Sequence, residues 1–135
     1  MDNLSPEKRS WQMSRIRQAH TAPELVVRRV IFALGYRFRL HDRNLPGSPD
    51  IVFRSRRKVI FVHGCFWHRH VGCRLTTSPK TRQEFWQEKF RANQARDQKA
   101  VAALRALGWE TMIIWQCEAK PGTNLVVRIR DFLDA

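Results

Sequence analysis

The chain has 135 residues, a length that suits one domain with its own core and leaves no room for a second. Its 25 lysines and arginines face 12 acidic residues, and the formal net charge of +13 indicates a polyanionic partner, nucleic acid before any other. Hydrophobic residues make up 43%, which excludes a disordered composition. No apolar run approaches a membrane span and the N-terminus lacks a signal-peptide apolar region, so we expect a cytoplasmic protein.

Two helices are predicted at the beginning of the chain. A Ser-Pro pair opens a short basic amphipathic helix within residues 1–18, which we expect to contact the polyanion, and residues 19–135 would form the core. Thr21 and Glu24 have the spacing of a capping box, and the helix that they begin ends at Gly35.

Three strands are predicted next. The alternation of apolar and basic residues over 36–41 predicts a strand with one buried face. Short β-branched and aromatic runs at residues 50–53 and 59–62 are joined by a basic turn and predict a hairpin. Asp50 therefore begins the second strand.

The rest of the chain predicts a helix, a strand and a helix. A second capping box, from Thr81 to Glu84, begins a helix that ends before Gly108, and residues 111–115 form a buried strand. A final helix begins near Thr123. It directs three apolar side chains inward: Val126, Ile129 and Leu133. This order predicts an α/β fold, a mixed sheet of about four strands with helices on its faces.

Three cysteines and a histidine have the spacing of a metal site. The set is Cys65, His70, Cys73 and Cys117. Three thiolates and an imidazole complete the closed tetrahedral shell of a structural Zn2+. In the alternative, the cysteines are small core residues and His70 is a solvated loop residue. Two further histidines, His63 and His68, are possible substitute ligands.

Asp50 and two histidines form a second candidate site. Asp50 begins one strand of the hairpin and His63 ends the other, so both lie at the same end of the sheet. A carboxylate there can hold Mg2+ for phosphodiester hydrolysis, with His68 as the general base. In the alternative, Asp50 caps its own turn and the histidines are solvated or structural.

Aromatic residues surround these candidates. Phe66 and Trp67 have charged neighbours in a loop, a poor place to bury a rigid pair, whereas aromatic wedges between base steps open or bend a duplex. Trp86 is a third candidate wedge, and Phe85 is expected in the core. In the alternative, all of these rings are ordinary core residues.

These residues resemble the very short patch repair (Vsr) DNA mismatch endonuclease family. The resemblance extends from about Arg9 to Glu118, and its most specific part is FVHGCFWH at residues 61–68 together with Pro49 and Asp50. Further matches are Leu45-Pro46-Gly47, Phe85-Trp86, Lys89, Asn93, Arg96-Asp97 and Gly108-Trp109. The resemblance implies a restriction-endonuclease-like fold. It also implies Mg2+-dependent nicking of one strand 5′ to the thymine of a T:G mismatch, the lesion left when 5-methylcytosine deaminates, which initiates very short patch repair.

The resemblance also implies roles for individual residues. Asp50 would bind Mg2+, His68 would be the base, and His63 would contact the water shell of the metal. Three aromatic residues would intercalate beside the mismatch: Phe66, Trp67 and Trp86. The Zn2+ ligands would be Cys65, His70, Cys73 and Cys117.

The roles of two residues in the implied Mg2+ site are not decided by the resemblance. Val62 stands where related nucleases often carry a second acidic residue, so only its backbone carbonyl could bind Mg2+. Glu24 either approaches the site, as an equivalent acid does in related nucleases, or is only the cap of its helix.

The implied partner is double-stranded DNA with a T:G mismatch, bound by a monomer that works at the nucleoid with mismatch-repair proteins. One alternative is a restriction or junction-cleaving nuclease of the same fold. The other is a zinc-dependent DNA-binding module in which Asp50 is only a turn residue.

Overall fold

The computed structural model describes residues 21–135, and the basic helix predicted within residues 1–18 lies outside this range. Four strands form one sheet: β1 Arg39–Leu40, β2 Ile51–Phe53, β3 Lys58–His63 and β4 Glu110–Trp115. Their order in the sheet is β1-β2-β3-β4. The first three strands are antiparallel neighbours, and β4 lies parallel to β3.

Within residues 21–135, four helices accompany the sheet: α1 Ala22–Ala33, α2 Cys65–His68, α3 Gln83–Ala106 and α4 Leu125–Asp134. A single 3-10 turn, Gln116–Glu118, follows β4. The parallel pairing of β3 with β4 requires a long crossover, which contains α3. The predicted mixed sheet of about four strands with flanking helices is confirmed. No helix among residues 21–135 is both long and apolar enough to cross a membrane.

The two central strands are buried on both faces. Ile51 pairs with Ile60, and both pack in the cluster that contains the apolar faces of α1 and α4. Val52 pairs with Val59, and both pack with Leu104 of α3 on the other face. Because helices cover both faces, β2 and β3 are near-continuous apolar runs rather than alternating ones.

The first strand is shorter than predicted. Apolar side chains of residues 36–41 are half-buried and the arginines are exposed, as the alternation predicts, but only Arg39 and Leu40 pair with β2. His41 follows them with a φ of 48° and donates its backbone N–H to the Asp50 carbonyl at 3.0 Å. This left-handed residue ends the strand pairing and redirects the chain.

One of the two predicted capping boxes is wrong. Thr21 accepts the backbone N–H of Glu24 through its side chain and caps α1, as predicted. At α3, however, the N-cap residue is Arg82, with a φ of 52° and no capping side-chain hydrogen bond. The helix therefore begins one residue later than predicted. The buried rings of Trp86 and Phe90 on this helix pack on one another, and we infer that this packing overrides the local capping signal of Thr81.

The last helix presents a different stripe from the predicted one. Ile129 and Leu133 are buried as predicted, but Val126 is 47% exposed, and Leu125 occupies the inward position instead. Buried residues four apart lie on one helix face, and Val126 is turned about 100° away from that stripe.

The site of interest lies at one edge of the sheet. β2 begins just after Asp50, and β3 and β4 end at His63 and Trp115, which are register partners. Since β2 is antiparallel to β3, the start of β2 and the ends of β3 and β4 share this edge. The segment after β3, predicted as a loop, opens with the single helical turn α2.

Candidate active site and metal centre

The carboxylate of Asp50 reaches across the hairpin. Its Oδ2 accepts the backbone N–H of Val62 at 2.7 Å. This bond does not belong to the turn that precedes Asp50, so the alternative in which Asp50 caps its own turn is not the arrangement observed. The hydrogen bond holds the carboxylate at the sheet edge, beside Val62 and next to the end of β3 at His63.

Two further side chains meet Asp50. Glu24, His41 and Asp50 each offer a ligand atom within 4.8 Å of the others. Glu24 is only 1% exposed, and both of its carboxylate oxygens lie close to Nε2 of His41, at 3.0 and 3.1 Å. Arg28, one turn along α1, also pairs with this carboxylate. Glu24 therefore directs its side chain into the site while its backbone N–H is capped by Thr21.

Burial controls the ionisation of this carboxylate pair. Burial raises the pKa of Asp50 to about 7, and the neighbouring Glu24 adds to the rise although the Val62 N–H opposes it. Burial alone would also raise the pKa of Glu24, but His41 and Arg28 outweigh it and hold that pKa below its ordinary value. Glu24 is thus the ionised partner. The Val62 N–H and His41 compensate the negative charge of Asp50 only in part, so a cation would stabilise it.

A second cluster contains both predicted histidines. The rings of His63 and His68 are stacked, with centroids 3.8 Å apart and an interplanar angle of 7°. Nδ1 of His68 lies 2.6 Å from Oδ2 of Asp97 on α3. A carboxylate at Nδ1 holds a proton there, so Nε2 of His68 is the nitrogen left with a free lone pair. This arrangement is that of an oriented general base.

His63 is the neutral member of the stack. It is 5% exposed, and burial together with the adjacent His68 lowers its pKa to about 4. Its Nδ1 is buried without a hydrogen-bond partner among the residues that the structure describes. Stacked imidazoles direct their lone pairs in parallel planes, a poor geometry for chelating one ion, so this cluster suits proton transfer better than metal binding.

The four predicted zinc ligands converge. Ligand atoms of Cys65, His70, Cys73 and Cys117 all lie within 4.8 Å of one another. The sulfurs of Cys65 and Cys117 are 3.7 and 3.4 Å from Nδ1 of His70. A tetrahedron with Zn–S of about 2.3 Å and Zn–N of about 2.0 Å separates sulfur from nitrogen by about 3.5 Å. The residues therefore fit a tetrahedral metal ion, and this convergence favours metal binding over three unrelated core cysteines.

The thiol chemistry agrees with this fit. Burial raises the pKa of Cys65 to about 12 and also raises that of Cys117, whereas a backbone hydrogen bond from Leu75 lowers the pKa of Cys73 to about 7. Two of the three thiols would therefore stay protonated at neutral pH unless a bound cation stabilised their thiolates.

The aromatic candidates form one cluster on α2 and α3. The Phe66 ring packs edge-on against Trp67, Trp86 and Phe90, with centroids 5.2 to 6.0 Å apart. Trp86 is only 5% exposed, whereas Phe66 and Trp67 are half-buried. Phe85, which was expected in the core, is also half-buried, so the prediction for it is wrong. Helix geometry turns Phe85 about 100° from Trp86, and it is Trp86 that faces the cluster.

Cations border the outer rings of this cluster. Lys89 lies 5.4 Å from the Trp67 ring centroid, and Arg82 lies 4.4 Å from that of Phe85. Arg69 covers Phe90 at 4.0 Å. A basic rim around half-exposed aromatic rings is complementary to the phosphates and bases of a nucleic acid.

Two residues of the site were not assigned a role from the sequence. His41 belonged to the basic side of an alternating strand, and nothing in that pattern separates it from its arginine neighbours. Asp97 matched the Vsr resemblance, but helical periodicity alone does not indicate that it meets His68, 29 residues earlier.

Comparison with known proteins identifies the family of this chain. The family model described as DNA mismatch endonuclease Vsr matches residues 1–74. The chain is 53% identical over 133 residues to the type II nicking enzyme V.XorIIP of Xanthomonas oryzae pv. oryzae, covering 98% of this chain and 97% of that protein. It is 44% identical over 109 residues to the DNA mismatch endonuclease Vsr of Escherichia coli K12, covering 81% and 69% of the two chains. The type II nicking enzyme V.NmeAIP of Neisseria meningitidis is 39% identical, covering 88% of this chain and 84% of its own length.

The alignment with the Xanthomonas protein spans 98% of this chain, including the segments that carry the buried carboxylate, the histidine pair and the aromatic cluster. The fold is accordingly of the restriction-endonuclease-like type, and DNA is the substrate. This chain belongs to the Vsr family of DNA mismatch endonucleases.

Proposed function

We propose that this protein nicks one strand of duplex DNA 5′ to the thymine of a T:G mismatch, with Mg2+ held at Asp50. The observation that carries the proposal is the shared sheet edge, where Asp50 lies beside a histidine pair oriented by Asp97. Two of the relatives are named type II nicking enzymes, which supports cleavage of one strand rather than two.

The residues around Asp50 fit a hard divalent cation. Asp50 offers a carboxylate oxygen, and because burial disfavours the charged form of this carboxylate, a cation would stabilise it. The backbone carbonyl of Val62 is the second protein oxygen that we assign to Mg2+. Glu24 is already paired with Arg28 and His41, so we assign it to ordering the water around the cation rather than to direct ligation. Bound Mg2+ would supply Lewis-acid polarisation of the phosphate and stabilise the leaving oxygen.

The histidines move the proton. Nε2 of His68 accepts a proton from the attacking water, and the Asp97 carboxylate stabilises the imidazolium that forms. His63 stays neutral and buried beneath this ring, and we assign it the contact with the water shell of the metal. These roles leave Cys65, His70, Cys73 and Cys117 to hold a structural Zn2+, which has no open position for substrate.

The aromatic cluster would provide mismatch recognition. Phe66 and Trp67 are partly exposed on α2 and are the rings that we assign to insertion beside the mismatch. Trp86 lies beneath them, so its insertion would require it to leave the packing against Phe66 and Phe90. A wobble pair is more easily unstacked than a matched pair, and this deformability would provide specificity.

Replacing Asp50 tests whether this sheet edge is catalytic. Asp50→Asn keeps an oxygen that can accept the Val62 N–H but removes the charge that holds the cation. We expect single-turnover nicking of an end-labelled T:G duplex to slow by about 1,000-fold or more, while the Kd for that duplex changes less than about threefold.

Asp131→Asn, an exposed change on α4, is the matched control and should nick like wild type. Nicking by Asp50→Asn within a few-fold of wild type would overturn the assignment. Specific binding without any nicking by the wild-type protein would favour the DNA-binding module instead.

A further inference from the structure

Trp115 stands between the metal centre and the catalytic histidines. Its ring stacks on the His70 imidazole, with centroids 4.3 Å apart and an interplanar angle of 5°. It also meets His63 edge-on, with centroids 5.4 Å apart and an interplanar angle of 75°. One indole therefore contacts a predicted metal ligand, His70, and the buried member of the histidine pair, His63.

The backbone around Trp115 is restrained from several directions. Trp115 pairs in register with His63 at the ends of β4 and β3, and each strand places a cysteine of the metal cluster two residues later, Cys117 and Cys65. The backbone N–H of Trp115 donates to Glu118 at 2.9 Å. The metal cluster therefore joins the ends of two parallel strands, and Trp115 lies within that junction.

The histidine pair depends on a firm neighbour. His63 stacks on His68, and Asp97 restrains His68 only through Nδ1. The His63 ring has no hydrogen bond to its buried Nδ1 among the described residues, so packing against Phe61, His68 and Trp115 is what orients it. Removing a flat ring from such a packed site leaves a void into which neighbouring side chains relax.

We propose that Trp115 is a positioning residue for the reaction. Because it packs between the metal-bound His70 and His63, it restrains the His63 ring, and His63 in turn holds His68 in line with the scissile phosphate. This proposal rests on the proposed function of the histidines. It assigns Trp115 no contact with substrate. It makes the structural metal a determinant of catalytic geometry as well as of stability.

The test compares Trp115→Leu with Trp115→Phe. Leucine removes the flat ring, and phenylalanine keeps a ring that can face both imidazoles. Trp109→Leu is the matched control, since it removes an indole at the opposite end of β4, where Trp109 packs against the core cluster of Val52, Val59 and Leu104. Each variant is assayed for single-turnover nicking of a T:G duplex, for Kd on the same duplex and for zinc content per chain.

We expect Trp115→Leu to slow nicking by about 10- to 100-fold, because small misplacements of a catalytic group can cost that much. Its Kd and zinc content should stay at wild-type values. Trp115→Phe should restore most of the rate, and Trp109→Leu should nick at close to the wild-type rate.

Three results would overturn the proposal: a wild-type rate in Trp115→Leu, equal slowing in Trp115→Leu and Trp109→Leu, or loss of zinc in Trp115→Leu. If Trp115→Leu does not fold, Trp115→Met retains apolar volume without a flat face and must show the same selective loss of rate. Absence of nicking in wild type would instead overturn the proposed function, so the two failures are distinguishable.

Discussion

At the scale of single residues, the ionisation states of the site follow from burial and partners. Asp97 fixes the proton of His68 on Nδ1 and leaves Nε2 free, while burial keeps His63 neutral. A stack of two imidazoles tolerates one positive charge far better than two. The pair is therefore suited to take up one proton, at His68, where a carboxylate can stabilise it.

Asp97→Asn tests this assignment. The amide keeps the shape of the carboxylate but cannot stabilise an imidazolium. Its NH2 group can also donate to Nδ1 of His68, which favours the tautomer with the proton on Nε2. We expect single-turnover nicking to slow by about 10- to 100-fold, within the roughly 100- to 10,000-fold that a general base contributes. Glu88→Gln, exposed on the same helix, is the control. Equal rates in the two variants would contradict the role of Asp97.

The pKa of Asp50 has a consequence for stability. Its folded-state pKa of about 7 exceeds the ordinary 3.8, so the folded protein binds the proton more tightly than the unfolded chain. The stabilisation that protonated Asp50 contributes is complete below pH 3.8 and is lost as pH rises through about 7. Without added Mg2+, Asp50→Asn should therefore gain free energy of unfolding over wild type between these pH values, measured by urea unfolding. A difference independent of pH would contradict the shift.

At the scale of elements, α2 is a single turn that contributes residues to two clusters. Cys65 at its start enters the metal cluster, and Phe66 and Trp67 follow it as the outer rings of the aromatic cluster. A four-residue helix has little stability alone. We attribute its order to the cluster of three cysteines and His70 on one side and to α3 on the other.

Trp67→Ala tests the recognition role of the outer rings. Stacking on a base is worth about 1–3 kcal/mol, so we expect affinity for a T:G duplex to fall by about tenfold and affinity for the matched duplex to change little. Phe32→Ala removes a ring that is 78% exposed on α1 and should leave both affinities unchanged. Equal losses by Trp67→Ala on both duplexes would count against insertion at the mismatch.

Cys117→Ser tests the metal centre. Cys117 is the proposed ligand supplied from beyond β4, so its loss would separate the strand ends that a bound ion would join. An ion at about 100 times its Kd stabilises a fold by about 2.7 kcal/mol, and its loss should lower Tm by about 10 °C. Zinc content should fall in parallel. Val71→Ala, in the same loop and exposed, should keep both values. A zinc-free wild-type chain would refute the assignment.

At the scale of the whole molecule, periodicity and turn signals were enough to predict the mixed sheet and its hairpin. The β-branched runs of β2 and β3, the glycine after α3 and the clustered cysteines each carry their signal locally. The convergence of the three cysteines and His70 was predictable because three of these four residues lie in one short segment. The capping role of Thr81 and the inward direction of Val126 were wrong because tertiary packing decided those positions.

The pairing of distant side chains could not be predicted in the same way. His41 and Asp97 reach the site through the crossing of strands and helices, which no local pattern encodes. Their residue types suit many exposed positions in a chain with a formal charge of +13. The charge itself predicted the class of partner, because polyanion binding depends on the whole surface rather than on one contact.

The most direct measurement is single-turnover nicking, with the cut mapped at nucleotide resolution, on duplexes that carry T:G, T:A or C:G at one position and on a branched duplex of the same sequence. With Mg2+ we predict one cut, in the thymine strand and 5′ to the mismatched thymine, and no comparable cut in the other duplexes or in EDTA. Cleavage of all four duplexes at similar rates, or of both strands, would contradict a mismatch-nicking enzyme.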